Sequence, residues 1–232
     1  MQSRVSVTPR RDSLAGLLRN VVDTLGVTTA LDVGANRGDF ARLLRGDAGF
    51  RGRIVSFEPQ TGVFDALASA AAADPAWEAY RLAVGAADGT QTLRRFAGSE
   101  LASLWDMNDE GRRLLHGSPE RGEEHVDVRT LAGLWDELAL DGERVLLKAD
   151  TQGYELEVLA GARPRLDDIV ALVLEVAVTP LYEGTPDWRT VIDATIDAGF
   201  VASGLYLVNR APDLRAIEFD YVAVRPPAPP RR

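Results

Sequence analysis

Apolar residues along this chain recur at two spacings that take turns. Leu14, Leu17, Leu18, Val21, Val22 and Leu25 repeat at helical spacing, with Asp12 placed to cap the helix and Gly26 to end it. Thr28 to Val33 then reads as a buried strand and Asp39 to Arg45 as a helix. Arg53 to Phe57 is a strand stopped by Glu58-Pro59, and Thr61 to Ala73 an Ala-rich helix. Trp77 to Val84 predicts one strand and Gln91 to Phe96 a short second one. Beyond the middle of the chain the alternation resumes. Strands are expected at His125 to Arg129, Arg144 to Ala149 and Ile169 to Val176, and helices at Leu131 to Leu138, Tyr154 to Leu159 and Thr190 to Ala198.

Strands alternating with helices imply crossover units and a mostly parallel sheet covered on both faces. The last two strands, Phe200 to Val208 and Ile217 to Val224, have no helix between them. They predict an antiparallel hairpin around Asn209 to Asp213. A plain doubly wound dinucleotide-binding half would instead continue strand–helix–strand.

Three stretches break the rhythm. Residues 98–124 are polar and punctuated by Gly98, Gly111, Gly117, Pro119 and Gly122, with a helix expected around Asp106 to Leu115. A segment of that length without periodicity reads as a lid inserted in the domain, or as disorder. Residues 1–11 read as a flexible N-terminus with three arginines and no apolar core of a secretory signal. Residues 226–232 read as a frayed Pro-rich tail. One domain over 12–225 is the expectation, in the cytoplasm.

Composition narrows the function. Lys plus Arg is 26 against 35 Asp plus Glu, a formal net charge of −9, which argues against gripping a nucleic-acid backbone over the whole surface. Only one of the 26 bases, Lys148, is a lysine. Cysteine is absent, so there is no disulfide, thiolate nucleophile or Cys–zinc site. No run of about 18 apolar residues appears that would cross a bilayer.

The first strand runs into Asp32-Val33-Gly34-Ala35-Asn36-Arg37-Gly38. Open α/β sheets bind ligands beyond the carboxyl ends of their strands. A dinucleotide fingerprint requires a second glycine where Asn36 stands, so the turn fits NAD poorly. It fits S-adenosylmethionine better: Asp32 offers a carboxylate to an ammonium group, and Gly34 and Gly38 permit close backbone approach. Glu58 ends the second strand, where an acid accepts ribose hydroxyls. An unliganded strand-to-helix turn and an ordinary loop glutamate are the plainer readings of these positions.

Further acids end later strands. Asp150 follows the strand through Lys148. Glu155 shares a helical face with Val158, Leu159 and Ala162, which draws it toward the sheet. Glu175 interrupts a strand otherwise apolar on both faces. Capping explains Asp150 and Glu155 equally well, and a salt bridge explains Glu175. His125 opens a strand after the expected lid, within reach of the rim or simply exposed. Asp150, Glu155 and Glu175 are also oxygen ligands of the type Mg²⁺ accepts, so a divalent metal stays open without a committed site. In the loops, Leu101, Leu104 and Trp105 suit an acceptor cover, a subunit contact or plain packing; Tyr182 and Trp188 suit stacking on a ring or local packing.

With these motifs placed, the chain resembles the FkbM-type methyltransferase family. Leu31 to Gly38 (LDVGANRG), Phe57-Glu58-Pro59, Leu82 to Gly89 (LAVGAADG) and above all Leu147 to Ala162 (LKADTQGYELEVLAGA) carry the resemblance, over roughly residues 28–224. It implies a class I, Rossmann-like methyltransferase fold: a doubly wound, seven-stranded, mostly parallel sheet ordered 3-2-1-4-5-7-6, with the last strand antiparallel. It also implies S-adenosylmethionine as cofactor and O-methylation of a hydroxyl on a sugar or natural-product small molecule. By position, Asp32, Gly34, Ala35, Asn36 and Gly38 line the methionine end, Glu58 and Pro59 the ribose, Val84, Gly85 and Ser103 the adenine side or lid, and Asp150 the reactive sulfur. Thr151-Gln152 departs from the family's more usual Val-Glu and leaves one fewer acid. Asp150, Glu155, Glu175 and His125 are the catalytic candidates, with Asp150 favoured as base. The rival classes are a nicotinamide-dependent oxidoreductase and a non-catalytic nucleoside-binding module of the same fold.

Overall fold

A computed structural model describes residues 13–226. Helix α1 (Leu14–Leu25) is capped by Ser13, whose hydroxyl accepts the Gly16 N–H, and ends at Gly26 in the left-handed conformation. The expected cap, Asp12, lies outside the described residues. The succession continues with β1 (Thr29–Val33), α2 (Asp39–Gly46), β2 (Arg53–Phe57), α3 (Thr61–Ala71), β3 (Trp77–Tyr80), β4 (Ala83–Val84) and β5 (Gly89–Phe96). It is completed by α4 (Asp109–Leu114), β6 (Glu120–Arg129), α5 (Leu131–Leu134), β7 (Val145–Ala149), α6 (Glu155–Ala162), β8 (Ile169–Ala177), α7 (Trp188–Asp197), β9 (Val201–Arg210) and β10 (Ala216–Val224).

The main sheet runs β3-β2-β1-β7-β8-β10-β9. The pairs β2–β3, β1–β2, β1–β7 and β7–β8 are parallel, whereas β10 is antiparallel to both β8 and β9. This is the expected 3-2-1-4-5-7-6 order. Period-2 alternation splits the strand residues between two cores. Leu31, Val55, Leu147 and Leu172 pack with Leu131, Val158 and Val191 of α5, α6 and α7. Ala30, Ile54, Leu146 and Val173 pack with Leu18, Leu44 and Leu67 of α1, α2 and α3.

The strand expected over Trp77 to Val84 is two. β3 stays on the main sheet, and after a break at Arg81-Leu82 the pair Ala83-Val84 joins β5 and β6 in a separate three-stranded sheet. That small sheet buries Ala83, Leu93, Val126 and Val128. β6 also begins at Glu120, five residues earlier than expected, because Glu120 to Glu124 pair with β5 despite their polarity. Part of the polar stretch 98–124 is therefore strand, since a ladder supplies the backbone bonds that side-chain pattern did not reveal. The rest is tied down: Asn108 N–H donates to Leu181 O at 2.9 Å, Asn108 Nδ2 to Pro180 O at 2.9 Å, and Tyr182 OH to Leu101 O at 2.8 Å. No helix among the described residues is long and apolar enough to cross a membrane.

Candidate active site

Register builds the site. Asp32 stands beside Ser56 on β2 and beside Lys148 on β7. All three share the parity of Ala30, Ile54 and Leu146, so their side chains meet on one face. Asp32 is fully buried. Lys148 Nζ lies 3.2 Å from Asp32 Oδ1 and 3.6 Å from Asp150 Oδ2, and donates to Gly34 O at 2.9 Å. Ser56 Oγ donates to Asp32 Oδ2 at 3.3 Å and itself accepts from Trp77 Nε1 at 2.9 Å. Burial raises Asp32 above the usual carboxylate range, against the pull of Lys148. Burial lowers the Lys148 ammonium, but the charges of Asp32 and Asp150 outweigh it and hold it above its ordinary value.

Two backbone turns follow. Gly34 has φ +70, and a Cβ there would fall 1.8 Å from Asp150 O, so only glycine lets the β1 and β7 loops touch. Gly38 has φ +87, with the Trp77 ring 2.6 Å from a would-be Cβ. Between them Asn36 donates its N–H to Glu58 Oε2 at 2.9 Å, while Gln60 N–H serves Glu58 Oε1 at 2.9 Å. Burial lifts Glu58 to about 7, with those two N–H groups opposing.

These groups border a cavity of about 940 Å³ at the carboxyl ends of the parallel strands, within the size range of small-molecule and cofactor sites. Of the expected cofactor residues, Gly34, Ala35, Asn36, Glu58, Pro59, Val84, Ser103 and Asp150 line it. Asp32 lies beneath it, bound to Lys148. Gly38 starts α2 against Trp77, and Gly85 is packed against Tyr154 and Val128. Of the catalytic candidates, Asp150 and Glu175 line the cavity. Glu155 is buried behind it and accepts from Thr151 N at 2.8 Å, Thr151 Oγ1 at 3.0 Å and Gly153 N at 3.2 Å, clamping the loop after β7; burial lifts it to about 7. His125 is not brought to this cavity. It sits on the exposed face of β6, 3.3 Å from Thr92 Oγ1, because strand parity turns Val126 and Val128 inward. Tyr182 is buried behind the cavity, and Trp188 opens α7 with the Arg189 guanidinium over its ring.

Three cavity residues were not among the candidates: Gln152, noted above only as a departure from the family's more usual glutamate, and Glu218 and Asp220. Gln152 donates to Glu175 Oε2 at 2.5 Å. Glu218 and Asp220 alternate on β10 on the face of Val222, and Asp220 pairs with Glu175 in register. The signal was there, since acids at i and i+2 in a strand take one face, and an acid interrupting an apolar strand is what singled out Glu175. Burial and the charges of Asp150, Glu218 and Glu155 push Glu175 well up. Burial lifts Glu218 to about 7 and Asp220 to about 6. Among the described residues no group of three or more His, Asp or Glu is arranged to hold a metal ion.

The wall is acidic, its lysine is already paired, and a glutamate with two backbone donors faces the ligand space. That chemistry suits a cationic nucleoside with free ribose hydroxyls. A family model described as the methyltransferase FkbM domain matches residues 32–202. The chain belongs to the FkbM methyltransferase family, whose members depend on S-adenosylmethionine. Among solved structures it is similar to the FkbM methyltransferase of Methylobacillus flagellatus KT, at 16% identity and a TM-score of 0.51 over 85% of this chain. It spans 43% of that protein's length, so this likeness speaks for the fold. Fibrillarin of Aeropyrum pernix, solved with natively bound S-adenosyl-L-methionine, is similar at 12% identity and a TM-score of 0.45, over 90% of this chain and 73% of its own. No curated protein matches the chain.

Proposed function

We propose that this protein transfers a methyl group from S-adenosylmethionine to a hydroxyl oxygen of a small acceptor, a sugar or natural-product alcohol. One observation carries the reading: carboxylates from three strand ends, Glu58 on the β2 side, Asp150 after β7 and Glu175 on β8, open onto a single cavity. The bound cofactor supplies a methyl carbon already activated by its sulfonium. The chain's own work is alignment and proton handling.

Gly34, Ala35 and Asn36 would hold the amino-acid end through their backbone, and Glu58 would accept from the ribose hydroxyls. Val84 and Ser103 would border the base. Asp150, at the lip of β7, would take the proton of the acceptor hydroxyl, with Glu175 beside it. Leu101 and Leu104, which also line the cavity, would keep water from the transfer.

Calorimetry with S-adenosylmethionine and its demethylated product tests cofactor binding. Labelled methyl donor with a panel of sugars, phenols and an RNA oligonucleotide then tests the acceptor. Asp150→Asn is expected to lower turnover by about 10²–10⁴-fold while cofactor affinity stays within a few-fold. Unchanged turnover removes Asp150 from the proton step, and transfer to RNA alone replaces the small-molecule reading.

A further inference from the structure

Gln152 occupies a backbone conformation that few side chains adopt, with φ +55. Asparagine or glycine would sit there at lower cost, yet the position holds a longer amide. The loop cannot relax around it. Glu155 grips Thr151 and Gly153 from below. The Thr185 hydroxyl stands 2.3 Å from where a Cβ on Gly153 would be. The stiff loop therefore sends the Gln152 side chain into the cavity, between β7 and β8. There Nε2 donates to Glu175 Oε2 at 2.5 Å and to Asp150 Oδ1 at 3.4 Å. A carboxamide nitrogen has two hydrogens and no charge, so it serves two carboxylates at once without altering the net charge of the wall.

We propose that Gln152 is a positioning residue whose carboxamide clamps Asp150 Oδ1 and Glu175 Oε2 and, with Lys148 against Asp150 Oδ2, holds the two carboxyls side by side at the acceptor hydroxyl. What the pair acts on rests on the methyl-transfer reading; the clamp itself is measurable without turnover. Glu175 faces Asp150 and Lys148 from the β7 side, Glu155 from α6, Glu218 and Asp220 from β10, and Tyr182 from the loop after β8. The surrounding acids favour its protonated form. A donor held against the ionised oxygen works the other way, and Gln152 is that donor.

The test follows the carboxyl ¹³C resonances of the full chain, labelled at Glu, through a pH titration. Glu175 is assigned by the signal lost in Glu175→Gln. Gln152→Asn keeps an amide and suits the left-handed backbone, but is one methylene short of Glu175. The thermal midpoint should hold or rise, while the Glu175 titration midpoint moves up by about one pH unit. Gln152→Glu, of equal size, adds a charge and should move it further up. With an acceptor from the panel, kcat of Gln152→Asn should fall at least tenfold with KM within threefold, and the acid limb of its pH profile should shift upward with the resonance. A Glu175 midpoint unmoved in both variants overturns the clamp. A moved midpoint with wild-type kcat and pH profile overturns the positioning role. A wild-type protein that binds no S-adenosylmethionine overturns the methyl-transfer reading instead, and the resonance shift still decides the clamp.

Discussion

The two rims of the cavity handle charge differently. On the β1–β2–β7 rim every acid has a partner inside the protein. Asp32 has Lys148 at 3.2 Å, and Glu58 has the N–H groups of Asn36 and Gln60. On the β8–β10 rim the acids have neutral company. Glu175 takes an amide from Gln152 and Glu218 one from Asn209, each at 2.5 Å, and both carboxyls are pushed upward by burial and by the charges of Asp150 and Glu155. The chain's single lysine serves the first rim. One rim thus leans on a buried ammonium and on backbone donors, whereas the other leans on side-chain amides.

The largest effect is expected at Lys148. Lys148→Met strands a fully buried carboxylate, and urea unfolding should show a loss of about 3–5 kcal/mol. A loss under 1 kcal/mol would mean that the first rim is no more self-sufficient than the second. Glu58→Gln comes next. It should weaken S-adenosylmethionine binding by about 1.5–3 kcal/mol, the range for hydrogen bonds to a charged group, with calorimetry as the readout.

The β8–β10 rim makes a pH prediction. Glu218 titrates near 7 in the folded chain against 4.5 unfolded. The native state therefore holds more protons between those values, and stability should fall as pH rises from about 4.5 to 7 and level off above. Glu218→Gln should flatten that slope by at most about 1.4 kcal/mol per pH unit; a slope unchanged in urea titrations would move the buried proton elsewhere. Smallest is Ser103→Ala, which cuts the hydroxyl bridge from Trp105 N–H to Gln152 O. It should cost about 0.5–1.5 kcal/mol, seen as faster hydrogen exchange at Trp105.

Much of this was legible in the chain. Alternating apolar periods give the strand–helix succession and the final hairpin, because strand and helix periodicities are local properties of the backbone, whereas the seven-stranded order was implied by the family resemblance. Asp32, Glu58, Asp150 and Glu175 stand out because an acid ending a buried strand is costly unless something uses it. The turn around Gly34 suits a methyl donor by its residues, and the motif around Gly153 implies one through the family resemblance. Contacts between distant segments are another matter. Nothing near Ala83 announces that it leaves the main sheet, since that choice belongs to its partners β5 and β6. His125 looks available until the parity of β6 turns it outward, and Glu155 looks catalytic until its oxygen is seen holding the Thr151 loop. The chain alone decided which residue types stand at which strand ends, since that follows from local pattern. Tertiary structure decided which of those acids share a lysine or an amide, since the deciding pairs, Asp32 with Lys148 and Glu175 with Gln152, lie far apart in the chain and meet only when the strands take their register.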